Sequence, residues 1–476
     1  LVENLSHGVG KTETGRIAVN PKIRMKFTFK NIGYIDAGEV TLGALTVICG
    51  RNNVGKTYLS YSIYGLLKHL RQVAGIRLDQ ESLEQLYEKG VCSIDLQRYA
   101  QDAVKILARA GKNFSRDLRR FFNTTDEYFA RSAVGLEIED YAFVSDSEFK
   151  GGVKFSGKEL IRLAKEKGAS TLDVVLQSDS SSTISRELLQ DILSEHIADV
   201  LFGTVVPTPF VITSERTGIS LFYKELDYSK SALLDHLADS EKLNPIALLN
   251  TLRSRYAEPI KDNIDMVRDY DTLCKRKSHF RDDAKQHSAV VDALLQLTDG
   301  SFKSQNKQVI YVPRKERGRD KVTLPIYMAS SSIKSLFLMD FYIRHLARDG
   351  DILIIDEPEL NLHPDNQRHM ACLLARMVNC GVRVLITTHS DFLVREINNL
   401  IMLSGSTSDK EAIMERYKIS ENDILHPEQV RAYTVSSRHR IEAFGVDEHG
   451  VDFKLFDELI NEANALSDEI YYAMED

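Results

Sequence analysis

The stretch Gly50-Arg51-Asn52-Asn53-Val54-Gly55-Lys56-Thr57 leaves this chain little choice of architecture. It is a complete GxxxxGKT loop, preceded by the apolar run Leu45-Thr-Val-Ile-Cys49 and followed, from Tyr58 onward, by a stretch of helical character. A short apolar run ending on glycine suits a strand buried on both faces of a parallel sheet. In the strand–loop–helix that results, glycines let backbone N–H groups close around phosphate oxygens, and the helix N-terminus adds positive potential. Lys56 is then expected to reach the β- and γ-phosphates, and the Thr57 hydroxyl to ligate Mg²⁺. A look-alike upstream, Gly8-Val-Gly10-Lys11-Thr12, has Leu5 where the first glycine is required and no apolar strand before it, so it reads as tail.

Three further segments carry chemistry. Ile352-Leu-Ile-Ile355 is a second buried run, and it delivers Asp356-Glu357-Pro358-Glu359 to the C-terminal edge of a sheet, where parallel sheets place ligands. Asp356 can hold Mg²⁺ through water, and Glu357 can orient or deprotonate an attacking water. Read alone, two acids after an apolar strand also suit a helix N-cap. Thr387-Thr-His389-Ser390 closes the next strand, where a histidine can touch the γ-phosphate; a lone histidine is more often structural. Ser330, Ser331 and Ser332 precede a helix expected over Ile333–Ala347 and make either an anion site or an ordinary cap.

Texture divides the chain. Residues 1–24 are an N-terminal tail. Residues 25–70 open with Met25-Lys-Phe-Thr-Phe-Lys, whose period-two alternation marks a half-buried strand. Residues 71–300 form a charged, mainly helical insertion, broken by strand-like runs at Gly135–Val144, Gly152-Val-Lys-Phe155 and Pro209-Phe-Val-Ile-Thr213. The last of these lies in a segment, 205–220, that can return to the sheet of the first lobe. Residues 301–402 alternate strands and helices, which means a mostly parallel α/β sheet with helices on its faces. Residues 403–476 hold two hairpin strands, Val430–Val435 and Arg438–Gly445, and a helix over Val451–Met474. Ser178–Ser182 reads as an exposed loop.

Composition removes several classes of function. The 476 residues carry a net charge of −8, which argues against a chain coated in nucleic acid. No stretch approaches the apolar length of a membrane helix, and no export signal is visible. Cys49, Cys92, Cys274, Cys372 and Cys380 are odd in number and lack CxxC spacing, as expected of a reduced cytoplasmic protein without a zinc site.

The order of phosphate loop, long insertion, serine-rich segment, IIDEPE, NLHPDNQ and TTHS resembles the ABC-type ATPases related to SMC and DNA double-strand-break-repair ATPases. It looks most like the compact bacterial AAA-family ATP-binding proteins grouped with OLD-family ATPases and with the ATPase subunits of anti-phage systems such as Septu and PARIS. The resemblance covers Met25–Tyr64, Val309–Met402 and the short segment Ser214–Gly218. It implies a P-loop ABC-type ATPase head with ATP and Mg²⁺ as cofactors. Gly50, Asn52, Asn53, Val54, Gly55, Lys56 and Thr57 become the Walker A loop, with Tyr58 beside it. Asp356 becomes the Walker B acid, Glu357 the catalytic base, Asp365 part of the D-loop and His389 the switch histidine. Ser330–Ser332 stand at the signature, where Ser332 replaces a glycine. No Q-loop glutamine can be placed, and Arg216 is expected near the nucleotide.

The resemblance also implies a head-to-head homodimer, or a higher oligomer, sandwiching ATP. The role expected is a switch that controls a separate nuclease or toxin effector in bacterial anti-phage defence. The alternative is an SMC-like DNA-binding ATPase in DNA repair or chromosome maintenance. Arg116, Arg119 and Arg120, with Lys275, Arg276 and Lys277, leave DNA contact open, although the insertion lacks sustained heptads. The tail is too short for a nuclease domain, so the chain is expected to have no nuclease activity of its own.

Overall fold

The computed structural model describes residues 23–155, 158–177, 185–223, 256–282, 287–314, 322–406, 408–452 and 454–475. The upstream GKT look-alike, the Ser178–Ser182 loop and residues 224–255 of the expected helical insertion lie outside them.

The central sheet has six strands in the order Ile441–Phe444, Val430–Val435, Leu45–Cys49, Arg383–Thr388, Ile352–Asp356, Pro209–Ile212. Five run parallel, and Ile441–Phe444 is an antiparallel edge. Every residue of Leu45–Cys49, Arg383–Thr388 and Ile352–Asp356 is buried, which accounts for their largely apolar sequences. Alternation of side chains across the sheet feeds two separate cores. Ile48, Ile354 and Leu385 join one, with Leu59 and Ile63 of the helix Lys56–Val73; Val47, Leu353 and Ile355 join the other, with Leu373 and Leu374 of the helix Pro364–Asn379.

Residues 71–300 contribute more than helices. Ala133–Ile138 adds a third strand to the antiparallel pair Met25–Ile32 and Ile35–Thr41, and the helix Ala103–Phe121 packs on it, Ser115 Oγ accepting from Val134 N at 2.9 Å and donating to Val134 O at 3.3 Å. A second antiparallel sheet orders Val91–Asp95, Thr171–Leu176, Lys158–Lys165 and Phe149–Phe155. Pro209–Ile212 pairs in parallel with the acidic strand, Ile212 beside Ile355. Spacing alone marks the hairpin near the C-terminus, but its first strand pairs in parallel with Leu45–Cys49 and flanks the phosphate loop. Tyr433 fastens this strand to the outer sheet, its hydroxyl accepting from Thr41 N at 2.9 Å and donating to Thr41 O at 3.1 Å.

Candidate functional site

Parallel strands bring the separate motifs to one edge. The strand ending in Thr387 and Thr388 lies between the phosphate-loop strand and the acidic strand, with Thr387 level with Asp356 and Thr388 level with Cys49. The loop itself needs backbone that few side chains tolerate. Gly55 has φ +99°, and a Cβ there would sit 3.1 Å from Ile35 Cδ1; Asn53 is also left-handed. The helix then begins at Lys56, and its first amides have no carbonyl one turn back to bond. Lys56 Nζ donates to Gly50 O at 2.9 Å and to Arg51 O at 2.8 Å, so the ammonium lies across the loop. Burial lowers its pKa, against the pull of Glu357 and Asp356.

Thr57 and Asp356, far apart in the chain, meet here: Thr57 Oγ1 donates to Asp356 Oδ2 at 3.0 Å. Thr387 Oγ1 holds the other carboxylate oxygen. Burial pushes the Asp356 carboxyl up to about 6, partly offset by these two hydroxyls. Glu357 follows in the left-handed region, φ 53°, with its N–H bonded to Thr387 O at 3.0 Å. That turn throws its side chain towards His389, whose Nδ1 lies 3.4 Å from Glu357 Oε1 and 3.6 Å from Glu359 Oε1. Glu359 is buried and accepts from Thr388 Oγ1 at 2.6 Å and from His389 N at 3.1 Å, which fixes the histidine's backbone.

The residues present fit a magnesium ion. Among the described residues no cluster of three or more His, Cys, Asp or Glu could hold a metal. Mg²⁺ needs only one or two protein ligands beside phosphate and water, and two oxygens of an octahedron with bonds of about 2.1 Å lie about 3 Å apart. The Thr57–Asp356 separation of 3.0 Å matches that edge.

Other expected residues fall elsewhere. Arg216, expected near the nucleotide, lies behind the acidic turn and braces it. It is only 2% exposed. Its guanidinium donates to Asp356 O at 2.8 Å, Glu357 O at 2.6 Å, Thr213 O and Ser335 O, both at 3.2 Å. Four of its five N–H groups are spent on backbone carbonyls. The Tyr58 ring packs on Phe122 and Phe129, with centroids 5.3 and 6.2 Å away. Asp365 is exposed at the start of the helix Pro364–Asn379, 3.7 Å from His363 Nδ1. Ser330 caps the helix Ser331–Phe341 by accepting from Ile333 N at 3.3 Å. Among the described residues no hydrogen bond joins Ser330, Ser331 or Ser332 to the phosphate loop.

Sequence reasoning missed Thr387, Glu359 and Glu215. Glu215 follows the strand beside the acidic strand, its charge acts on Asp356, and its Oε2 accepts from Tyr61 OH at 3.4 Å, one turn past Thr57. The available signal was its place directly after a buried strand.

Comparison with known proteins places the chain in a family. A family model described as AAA ATPase domain matches residues 25–394. Over 93 residues the chain is 27% identical to the energy-coupling factor transporter ATP-binding protein EcfA of Carboxydothermus hydrogenoformans, covering 18% of this chain and 34% of that protein. The chain thus spans about a third of that curated relative. Similar solved structures include an Smc head domain with an extended coiled coil bound to the C-terminal domain of ScpA, from Pyrococcus furiosus, at 12% identity. It covers 94% of this chain and 100% of that one, with a TM-score of 0.33. The SMC head domain of Thermotoga maritima matches at 9% identity, covering 89% and 98%, with a TM-score of 0.28.

Proposed function

The chain belongs to the AAA ATPase domain family, and from that membership we propose that it binds MgATP at the phosphate loop and hydrolyses it in a site completed by a second copy. The observation that carries this is the contact between Thr57 Oγ1 and Asp356 Oδ2, which joins a phosphate-loop helix to an acidic strand at one metal-sized point. Lys56 and the first amides of its helix hold the β- and γ-phosphates. Mg²⁺, held by Thr57 and Asp356, supplies charge neutralisation for the transferring phosphoryl group. Glu357 takes the proton of the attacking water, and His389, packed against Glu357 and Glu359, senses the γ-phosphate. The exposed helix N-terminus at Ser330–Ser332 offers an anion cradle to the phosphates on a second copy, related by a two-fold axis. Free cysteines at all five positions support a reduced, cytoplasmic setting.

Lys56→Ala should abolish ATP binding. Glu357→Gln should bind ATP and lose turnover, because phosphate and metal contacts survive while the base is gone. Normal hydrolysis by Glu357→Gln would overturn the assignment.

Of the two roles for such a switch, DNA handling has a feature of this chain behind it. Lys112, Arg116 and Arg119 line an open groove of about 860 Å³ between the helix Ala103–Phe121 and the outer sheet, with Thr28, Ser115 and Ser132. A basic groove on an acidic chain is a local electrostatic footprint for phosphate backbone. Control of a separate nuclease or toxin effector in anti-phage defence rests on the family resemblance. The discriminating measurement is fluorescence anisotropy of duplex DNA with and without ATP. Arg116→Glu with Arg119→Glu should abolish a salt-sensitive affinity on the order of 10⁻⁴–10⁻⁶ M.

A further inference from the structure

The C-terminal helix Lys454–Glu475 spans 22 residues, and along 464–474 its side chains are exposed. Leu466 is 59% exposed, Ile470 53% and Met474 81%; Tyr471 and Tyr472 are exposed too. Isolated apolar residues on a surface need no explanation, but a periodic set does. Along the sequence Phe456, Leu459, Ala463, Leu466, Ile470 and Ala473 alternate at spacings of three and four, the 3.5-residue repeat of a coiled-coil seam. We propose that this helix is a nucleotide-independent docking surface for a second copy of this chain, the two helices pairing in parallel.

Charge selects both the occupant and its direction. With the seam at positions a and d, Glu462 and Glu469 fall at g, and Ile460, Ser467 and Met474 at e. A parallel pair sets each g residue beside the e residue of the next heptad, so Glu462 meets Ser467 and Glu469 meets Met474, with no like charges opposed. An antiparallel pair sets g beside g and brings Glu462 against Glu469 on both sides. The polar face carries Glu462, Asp468, Glu469 and Glu475, the wrong sign for a membrane surface or a nucleic acid.

Just before the helix, Val451 is buried and exchanges two hydrogen bonds with Asn398: Val451 N to Oδ1 at 2.9 Å, and Nδ2 to Val451 O at 3.1 Å. Asn398 belongs to the helix Asp391–Met402, which starts two residues after His389. A pair formed at this seam therefore tethers two heads through an element that begins at the nucleotide site. About three heptads make a marginal coiled coil alone, but once two heads also meet through ATP the contact becomes intramolecular and gains effective concentration. The proposal stands without the nucleotide reading, since it concerns the chain in the absence of ATP.

The test is sedimentation equilibrium of the full chain without nucleotide. Wild type should dimerise at micromolar concentration. Leu466→Glu with Ile470→Glu should weaken the dimer at least 100-fold while a fluorescent ATP analogue binds as before, which shows that the head is folded. Leu466→Cys should form an intermolecular disulfide under mild oxidation that wild type does not, because only parallel pairing sets position 466 opposite itself. A nucleotide-free chain that stays monomeric at every concentration, a double variant that dimerises as tightly as wild type, or a Leu466→Cys protein that dimerises without cross-linking would each overturn the proposal. Lysis of the ATP reading by Lys56→Ala would leave these outcomes unchanged.

Discussion

Arg216→Ala is the substitution that most directly tests how the acidic turn is held. The guanidinium bonds four backbone carbonyls, two of them at Asp356 and Glu357. Burial brings its pKa down to about 10, still charged at neutral pH. Each hydrogen bond to a charged group contributes about 1.5–3 kcal/mol, but a carbonyl losing one of two partners recovers part of that, and such losses do not add. Roughly 3 kcal/mol of stability should go, which a domain with about 5–15 kcal/mol survives. The larger effect falls on turnover. Glu357 stands at φ 53°, a conformation costing on the order of 1–3 kcal/mol that neighbours must enforce. Released, the carboxylate need shift only about 1 Å to slow hydrolysis about 100-fold. ATP affinity should change little, because Lys56 and Thr57 lie on another element. Arg216→Lys should rescue stability better than rate, since an ammonium cannot reproduce the planar fork. The assays are urea denaturation, single-turnover hydrolysis and binding of a fluorescent ATP analogue. Unchanged turnover with tenfold weaker binding would refute the brace and return Arg216 to the phosphates.

Three other outcomes are expected. Gly55→Ala, which strains φ +99° and crowds Ile35 Cδ1 at 3.1 Å, should cost at least about tenfold in ATP affinity, whereas Gly10→Ala in the upstream look-alike should change nothing in the same binding assay. Tyr433→Ala, which removes both hydroxyl bonds to Thr41 along with a buried ring, should lower unfolding free energy by about 3–5 kcal/mol; a loss under 1 kcal/mol would mean that the C-terminal strand is dispensable to the head. The ion cluster clasping the phosphate-loop helix should be pH-sensitive. His69 Nε2 lies 2.8 Å from Glu258 Oε1, and Lys68 Nζ 2.6 Å from the same oxygen. Burial opposes the charged forms, yet the partners prevail: the Glu258 carboxyl falls to about 2, and the His69 pKa rises above 6.5. The histidine's contribution is complete below pH 6.5 and fades as pH climbs through its raised folded value. The glutamate's is complete above about 4.5 and fades towards 2. Melting temperature should therefore drop on the alkaline side in wild type, and His69→Gln should flatten that limb.

Legibility followed how local each constraint is. The phosphate loop, the acidic strand and the strand just before His389 each carry their own signal, because strand burial and loop conformation are written in consecutive residues: Leu45–Cys49 is apolar but for Thr46, and Gly55 is the residue its φ demands. The brace was harder. Arg216 stands out in the sequence, but nothing local tells a guanidinium aimed at phosphate from one aimed at carbonyls 140 residues away. Glu215 and Glu359 were hidden for the same reason, each meeting a partner on another element. The strand Val430–Val435 shows its alternation but not its neighbour, since strand pairing is a property of two segments.

The same distinction explains why the site is assembled as it is. Lys56 and Thr57 come from one end of the chain and Asp356, Glu357 and His389 from the other; the Thr57 hydroxyl joins the two at Asp356, while Thr387 to Asp356 and Thr388 to Glu359 tie the two neighbouring strands that carry the acids and the histidine. All three bonds lie at the strand ends, so they shape the edge of the sheet without belonging to either core. The heavier fastening lies behind. Asn263 of the helix Glu258–Arg268 accepts from Thr213 N at 3.0 Å and donates to Val211 O at 2.7 Å, holding the strand that presents Arg216. Lys68 and Tyr64 of the phosphate-loop helix both reach Asp262 of that same helix, at 2.6 and 2.5 Å. A displacement of the phosphate-loop helix thus has a continuous route, through Asp262, Asn263 and Arg216, to the carbonyl of Glu357.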